Sequence, residues 1–257
     1  MARDDDSSNA AKTIIIILMN KATHNHANAN SLLKERGGLR IKVCGMTKAE
    51  QVNQLNAMGV QFAGFIFYPK SPRYVFKSLP AMAIKKIKGG INKVGVFVNE
   101  NIDDVLRTVD DCGLYLVQLH GDESPRYCEK IAEYITVIKA FRISENDNVL
   151  WKIKDYQEVV DMFLFDTAVN TVPAGHEMGY GGTGKKFNWH LLQGLNINKP
   201  FFLSGGIGMQ DIDEIKKFLR DPVAKDLFAV DINSCFELMP GVKDIAQVKS
   251  FVEKLSR

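Results

Sequence analysis

Six places in this 257-residue chain put a reactive or anion-holding group just where an apolar run gives way to a turn. They are Cys44 in "KVCGMT", Arg73 in "YPKSPRYV", His120 in "VQLHG", Asp166 in "FLFDTA", the glycines of "LSGGIG" (203 to 208), and "DINSCFE" (231 to 237). A thiol, an imidazole and a carboxyl exchange protons, and a guanidinium offers planar paired donors to a carboxylate. Glycines and small polar residues leave backbone N–H groups exposed, which suits a phosphate held without a metal. Each has a plainer reading too. A cysteine at a strand end is ordinarily a small hydrophobe, an aspartate there can cap a helix or join an ion pair, and an arginine or histidine can be a loop cation or a rim residue.

The elements that must position these groups follow from hydrophobic periodicity. Strand-like runs occur at 40 to 44, 61 to 67, 92 to 98, 115 to 119, 135 to 141, 160 to 165, 199 to 203 and 226 to 232. Helical spacing occupies 79 to 88, 102 to 109, 124 to 133, 211 to 219 and 243 to 255, with less distinct helices around 147 to 157 and 187 to 194. After the first strand, Gly45 permits a turn, Thr47 is placed to cap a helix, and Val52, Leu55 and Met58 recur at helical spacing. Eight strand-then-helix repeats in roughly 220 residues fit a closed (β/α)8 barrel better than an open doubly wound sheet. In such a barrel the chemistry gathers at the C-terminal ends of the strands.

Composition narrows the partners. Thirty-three basic against 30 acidic side chains leave a formal charge of +3 with no long basic block, which gives no support for nucleic-acid or membrane-surface binding. A small phosphorylated molecule is the partner expected. Cys44, Cys112, Cys128 and Cys235 are widely spaced, without a C-x-x-C pair or zinc spacing, as for reduced thiols in a cytoplasmic protein. Residues 1 to 38 read as a low-complexity, disordered extension. Their apolar run at 14 to 19 is too short to span a bilayer, and residues 39 to 257 form the barrel domain.

The segments "KVCGMT", "GFIFYPKSPRYV", "VQLHG", "FLFDT", "GGTGKKFNW", "LSGGIG" and "VDINSCFELMPGVKD" resemble, in order, the motifs of the phosphoribosylanthranilate isomerase family of tryptophan biosynthesis. The resemblance covers residues 40 to 257. It implies a cofactor-free, metal-free Amadori rearrangement of N-(5′-phosphoribosyl)anthranilate into 1-(2-carboxyphenylamino)-1-deoxy-ribulose 5-phosphate, by a monomer or homodimer. Asp166 corresponds to the family's general acid and Cys44 to its general base. Arg73 and His120 fall at substrate-binding positions, and Gly205, Gly206, Asn233 and Ser234 at phosphate-binding positions. Phe163, Leu164 and Phe165 are expected to help keep Asp166 protonated, and the helix start near Thr47 to lower the Cys44 pKa. "GGTGKKFNW" is read as a mobile loop over the site. Cys235 departs from the family pattern and puts a second thiol near the ligand. Another phosphosugar barrel, or a barrel that binds a phosphorylated ligand without catalysis, are the alternatives.

Because the strand pattern starts after residue 38, a chain lacking residues 1 to 38 is expected to keep both turnover and thermal midpoint. Activity assay and thermal melting of the two lengths check this, and a large loss in either would make the extension part of the fold.

Overall fold

The computed structural model describes residues 39–167 and 188–256. The extension at 1 to 38, and "GGTGKKF" of the loop read as covering the site, lie outside the described residues. Eight parallel strands close into a barrel in sequence order: β1 (Arg40–Val43), β2 (Phe62–Ile66), β3 (Asn92–Phe97), β4 (Leu116–Leu119), β5 (Thr136–Ile143), β6 (Met162–Thr167), β7 (Phe201–Leu203) and β8 (Leu227–Ile232). Each pairs with its neighbour, and β8 returns to pair with β1. Among the described residues the α-helices are α1 (Ala49–Ala57), α2 (Ala81–Lys86), α3 (Ile102–Cys112), α4 (Pro125–Ala132), α5 (Val149–Ile153), α6 (Ile212–Phe218) and α7 (Ile245–Leu255). None is long and apolar enough to cross a membrane.

Local chemistry explains the better-formed helices. The Asn101 side chain accepts from Asp103 N at the start of α3, and Gly113 ends that helix in the left-handed region at φ 60°. Ser124 caps α4, with Pro125 at its first position, and Asp244 caps α7. The inward faces bury Val105 and Cys112 of α3, Cys128 and Ile131 of α4, and Val248 and Phe251 of α7. Cys112 and Cys128 are therefore core residues.

Four local expectations change. The cap of α1 is Lys48, without a side-chain cap bond, and the Thr47 hydroxyl donates to the Gly241 carbonyl. The helix expected near 187 to 194 is a 3-10 turn, Trp189–Leu192, and the one near 147 to 157 is the short α5 continued by a 3-10 turn, Lys154–Tyr156. Asp166 lies within β6 rather than after it, because β6 stays paired with the C-terminal part of β5 up to Ile143↔Thr167.

Strand alternation divides the sheet into two apolar layers. Phe62, Val94, Leu116, Ile138, Leu164 and Phe202 fill the barrel interior. Val43, Phe65, Val117, Phe163, Phe165 and Leu203 face the helices. One ion pair interrupts the interior at the seam, where Lys42 on β1 is the register partner of Asp231 on β8. Lys42 Nζ donates to Asp231 Oδ2 at 2.8 Å, with the lysine side chain fully buried.

Removing one member of a buried pair strands the other charge. Lys42→Met is expected to destabilise the fold by about 3 to 5 kcal/mol, and the double variant Lys42→Met/Asp231→Leu to recover most of that loss. Urea unfolding of wild type and both variants measures it.

Candidate active site

A cavity of about 370 Å³ opens at the C-terminal ends of the strands. Its wall is built by the alternation that fills the barrel. Cys44 follows β1 by one residue, Gln118 and His120 stand on and just after β4, Asp166 on β6, Ser204 after β7, and Asp231 and Asn233 on and after β8. All these side chains occupy inward positions. The cavity is also lined by Arg73 from the loop after β2, by Gly205 and Gly206 after β7, and by Ser234 after β8. Every residue singled out in the sequence as a site residue thus lines one cavity.

Cys44 is held by close backbone approach. Its Cβ side faces Gly64 on β2, where an added Cβ would fall 2.9 Å from Cys44 Sγ and 3.1 Å from its Cα. The next residue, Gly45, has φ +75°, and a Cβ there would meet Arg73 Cδ at 2.7 Å and Asn233 Oδ1 at 2.8 Å. The strand-one exit therefore threads between the loops that follow β2 and β8. Burial pushes the Cys44 thiol up, and the Lys42 and Lys243 ammoniums pull it down without cancelling the burial. The expectation of a thiol lowered by a helix start is corrected here: α1 begins only at Ala49, and the groups that favour the thiolate are the two lysines.

Asp166 Oδ1 accepts from Thr167 N at 2.8 Å, and its Oδ2 lies 3.2 Å from His120 Nε2. That second contact lacks hydrogen-bond alignment, since His120 Nε2 has no hydrogen-bond partner. Of the three apolar residues expected around Asp166, only Leu164 shares its face. Phe163 and Phe165 point outward into the helix-facing layer, which corrects their assigned influence.

Arg73 is buried rather than solvated. Its Nε and Nη2 donate to Glu237 at 2.7 to 2.9 Å. Glu237 also accepts from Lys243 Nζ at 2.8 Å and from Gly241 N at 3.0 Å. Lys243 Nζ donates in turn to Asn233 Oδ1 at 2.8 Å. These donors hold the Glu237 carboxyl below its ordinary range despite burial. The hairpin of β9 (Glu237–Met239) and β10 (Val242–Lys243) thereby ties the arginine loop to the loop after β8.

On the wall of the same cavity, Gly205 and Gly206 have φ +93° and +68°. A Cβ on Gly205 would run into Thr167 Oγ1. Within the described residues the N–H groups of Gly205, Gly206 and Ser234 donate to no protein acceptor. Cys235 is not on the cavity wall. Its Sγ donates to the Gly206 carbonyl at 3.4 Å, so the second thiol bridges two loops instead of facing a ligand. Among the described residues no group of three or more His, Cys, Asp or Glu is placed to hold a metal ion.

Lys42, Gln118, Asp231, Glu237 and Lys243 were not singled out from the sequence. The first three carried a usable signal. Each lies on a strand two residues before a site residue at its exit, and so one layer below it on the same face. Glu237 and Lys243 carried none, because only the folded hairpin brings them to Arg73.

Parallel barrels place their working groups at this rim while the opposite rim serves stability. The chain is accordingly a (β/α)8-barrel enzyme by fold and site. Residues 41–254 match the family model described as N-(5′-phosphoribosyl)anthranilate (PRA) isomerase, and the chain belongs to that family. It is 38% identical to N-(5′-phosphoribosyl)anthranilate isomerase of Phocaeicola vulgatus over 221 residues, 84% of this chain and 98% of the relative. The crystal structure of phosphoribosyl anthranilate isomerase from Thermotoga maritima superposes with a TM-score of 0.70 at 34% identity, covering 85% of this chain and 98% of that one. A phosphoribosyl anthranilate isomerase solved with reduced 1-(o-carboxyphenylamino)-1-deoxyribulose 5-phosphate gives a TM-score of 0.66 at 30% identity over the same shares.

Gly64→Ala is expected to leave the barrel folded while displacing the Cys44 thiol. A displacement of about 1 Å at a reacting group costs on the order of a hundredfold in rate. Steady-state kcat, with circular dichroism as the control on folding, measures it.

Proposed function

We propose that this chain converts N-(5′-phosphoribosyl)anthranilate into 1-(2-carboxyphenylamino)-1-deoxy-ribulose 5-phosphate. The observation that carries the reading is that Cys44 and Asp166, the family's base and acid positions, face one cavity whose rim offers backbone N–H donors unused among the described residues. A phosphate set against Gly205, Gly206 and Ser234 needs no counter-cation there, since backbone dipoles supply the attraction. Asn233, tied to Lys243, fixes the turn that presents Ser234. The aromatic carboxylate is assigned to Arg73, whose charge is already oriented by Glu237.

With the ligand so placed, Asp166 delivers its proton to the furanose ring oxygen. The anilino nitrogen lone pair forms C1=N as the C1–O bond breaks, and the ring opens to a Schiff base. Thr167 N donates to the carboxylate that remains, which lowers the cost of leaving it charged. The Cys44 thiolate then takes the C2 proton, and the electrons of that C–H bond neutralise the iminium to give an enolamine. Lys42 and Lys243 are the charges that offset the thiolate in this buried place. Asp231 Oδ1, buried and without a partner, is an acceptor for a sugar hydroxyl. Tautomerisation of the enolamine to the ketone completes the reaction.

Cys44→Ala and Asp166→Asn are each expected to leave a folded barrel with turnover lowered at least about a hundredfold, the scale for losing a positioned proton-transfer group. Loss of substrate fluorescence follows the reaction, and near-normal turnover of either variant overturns that residue's role. The thiol works only when ionised, and burial raises its pKa. The two ionisations act with opposite signs: forming the Cys44 thiolate raises kcat/KM as pH rises and loss of the Asp166 proton lowers it, so a limb that rises with pH and is lost in Cys44→Ser is expected to report the thiol. A rising limb kept in Cys44→Ser would remove Cys44 as the base.

A further inference from the structure

Two of the buried polar atoms without a hydrogen-bond partner belong to side chains on the β4 wall of the cavity, Gln118 Oε1 and His120 Nε2. The two side chains are joined to each other, with Gln118 Nε2 at 2.7 Å from His120 Nδ1. Gln118 is 1% exposed and His120 8%, so bulk water does not compete for this contact. An amide nitrogen has only hydrogens to offer, so the ring nitrogen facing it must present its lone pair. The proton of the neutral imidazole then sits on Nε2. Nε2 is the atom that lies 3.2 Å from Asp166 Oδ2.

The opposite arrangement is electrostatically poor. Turning the amide over would place Oε1 against Nδ1, draw the ring proton there, and leave the Nε2 lone pair facing the carboxylate that Asp166 becomes once it has given up its proton. The amide and the carboxylate therefore select the same tautomer from the two ends of the ring. Catalytic contacts are often loose until the ligand arrives, which fits the close but unaligned approach of Nε2 to Asp166.

We propose that Gln118 is a positioning residue: it donates to His120 Nδ1, fixes the ring proton on Nε2, and so aims an N–H at Asp166. This rests on the acid role given to Asp166 above. In that role the carboxyl becomes a carboxylate as the sugar ring opens, and an N–H directed at Oδ2 stabilises the charged product of the step more than the neutral acid. The benefit falls on the chemical step, so it belongs to kcat rather than KM.

The test reads the tautomer directly and separately from turnover. Nitrogen-15 spectra of the full chain, with the His120 signals assigned by their loss in His120→Asn, are expected to show a protonated Nε2 and a lone-pair Nδ1. Gln118→Glu keeps the shape but offers an acceptor, and is expected to move the proton to Nδ1. Its kcat is expected to fall at least about tenfold with KM within about twofold, well inside the ~10⁴ that a wrong tautomer costs in a serine-protease triad. Gln118→Met, which removes the donor without adding an acceptor, is expected to show both tautomers. A wild-type ring protonated on Nδ1 overturns the proposal even if every variant unfolds, as does a Gln118→Glu enzyme with reversed tautomer and unchanged kcat. Failure of the acid assignment is distinguishable, since it shows as an active Asp166→Asn enzyme with the wild-type ring spectrum of His120 as stated.

Discussion

The barrel closes where β8 meets β1, and the Lys42–Asp231 pair lies on that seam. A one-residue slip between the two strands would turn one of these charges into the helix-facing apolar layer, opposite Val43 or Ile232. Two opposite charges buried on adjacent strands thus specify the register more sharply than apolar residues could, because an apolar slip costs packing whereas this one also leaves an unpaired buried charge. Cys44 and Asn233 stand one layer above the pair, just past the ends of the same two strands. Once the seam is in register, the proposed base and the anchor of the proposed phosphate turn are in register as well.

The same pair ties the stability of the fold to the chemistry. Lys42 is buried, yet attraction from Asp231 and Cys44 outweighs the desolvation and holds its pKa above the ordinary value. A permanent ammonium under the thiol is a fixed source of positive potential in a place where water supplies little. Its effect is incomplete, since burial still leaves the thiol above its usual range. A strongly depressed thiol would be a weaker base for a carbon-bound proton, so a thiol that burial holds above its usual range gives the stronger base once it is ionised.

Much of this arrangement was legible because two simple periods govern it. The eight strand segments and the long helices form within a few residues of where periodicity puts them, and strand ends name Cys44, Arg73, His120, Asp166 and the loops after β7 and β8. The misses are physical. Thr47 looks like a cap by type, but the helix starts one residue later, with Lys48 at the cap, and the Thr47 hydroxyl donates to the hairpin carbonyl of Gly241. Phe163 and Phe165 flank Asp166 or its neighbours in sequence and face away from it, because sequence adjacency in a strand means opposite faces. Cys235 sits beside Ser234 in the chain, yet its sulfur turns to the Gly206 carbonyl. Residues brought in from far along the chain, Glu237 and Lys243 above all, leave no local trace.

Those two residues explain how loops can be as well placed as strands. Arg73 comes from the loop after β2, where the sheet reaches only through a single bridge between Tyr74 and Ile66, and Asn233 from the loop after β8. The hairpin supplies the missing constraint: Glu237 takes Arg73 on one side and Lys243 on the other, and Lys243 passes the link to Asn233. Gln51 on α1 then fastens the hairpin to the barrel by exchanging two hydrogen bonds with the Lys243 backbone, at 2.7 and 3.0 Å. Gly45 passes through the gap that this clamp leaves, too narrow for any Cβ. The guanidinium and the turn bearing Ser234 are therefore spaced by a buried network of charges rather than by loop stiffness. A ligand with a carboxylate at one end and a phosphate at the other requires its two anion sites to be spaced in that way.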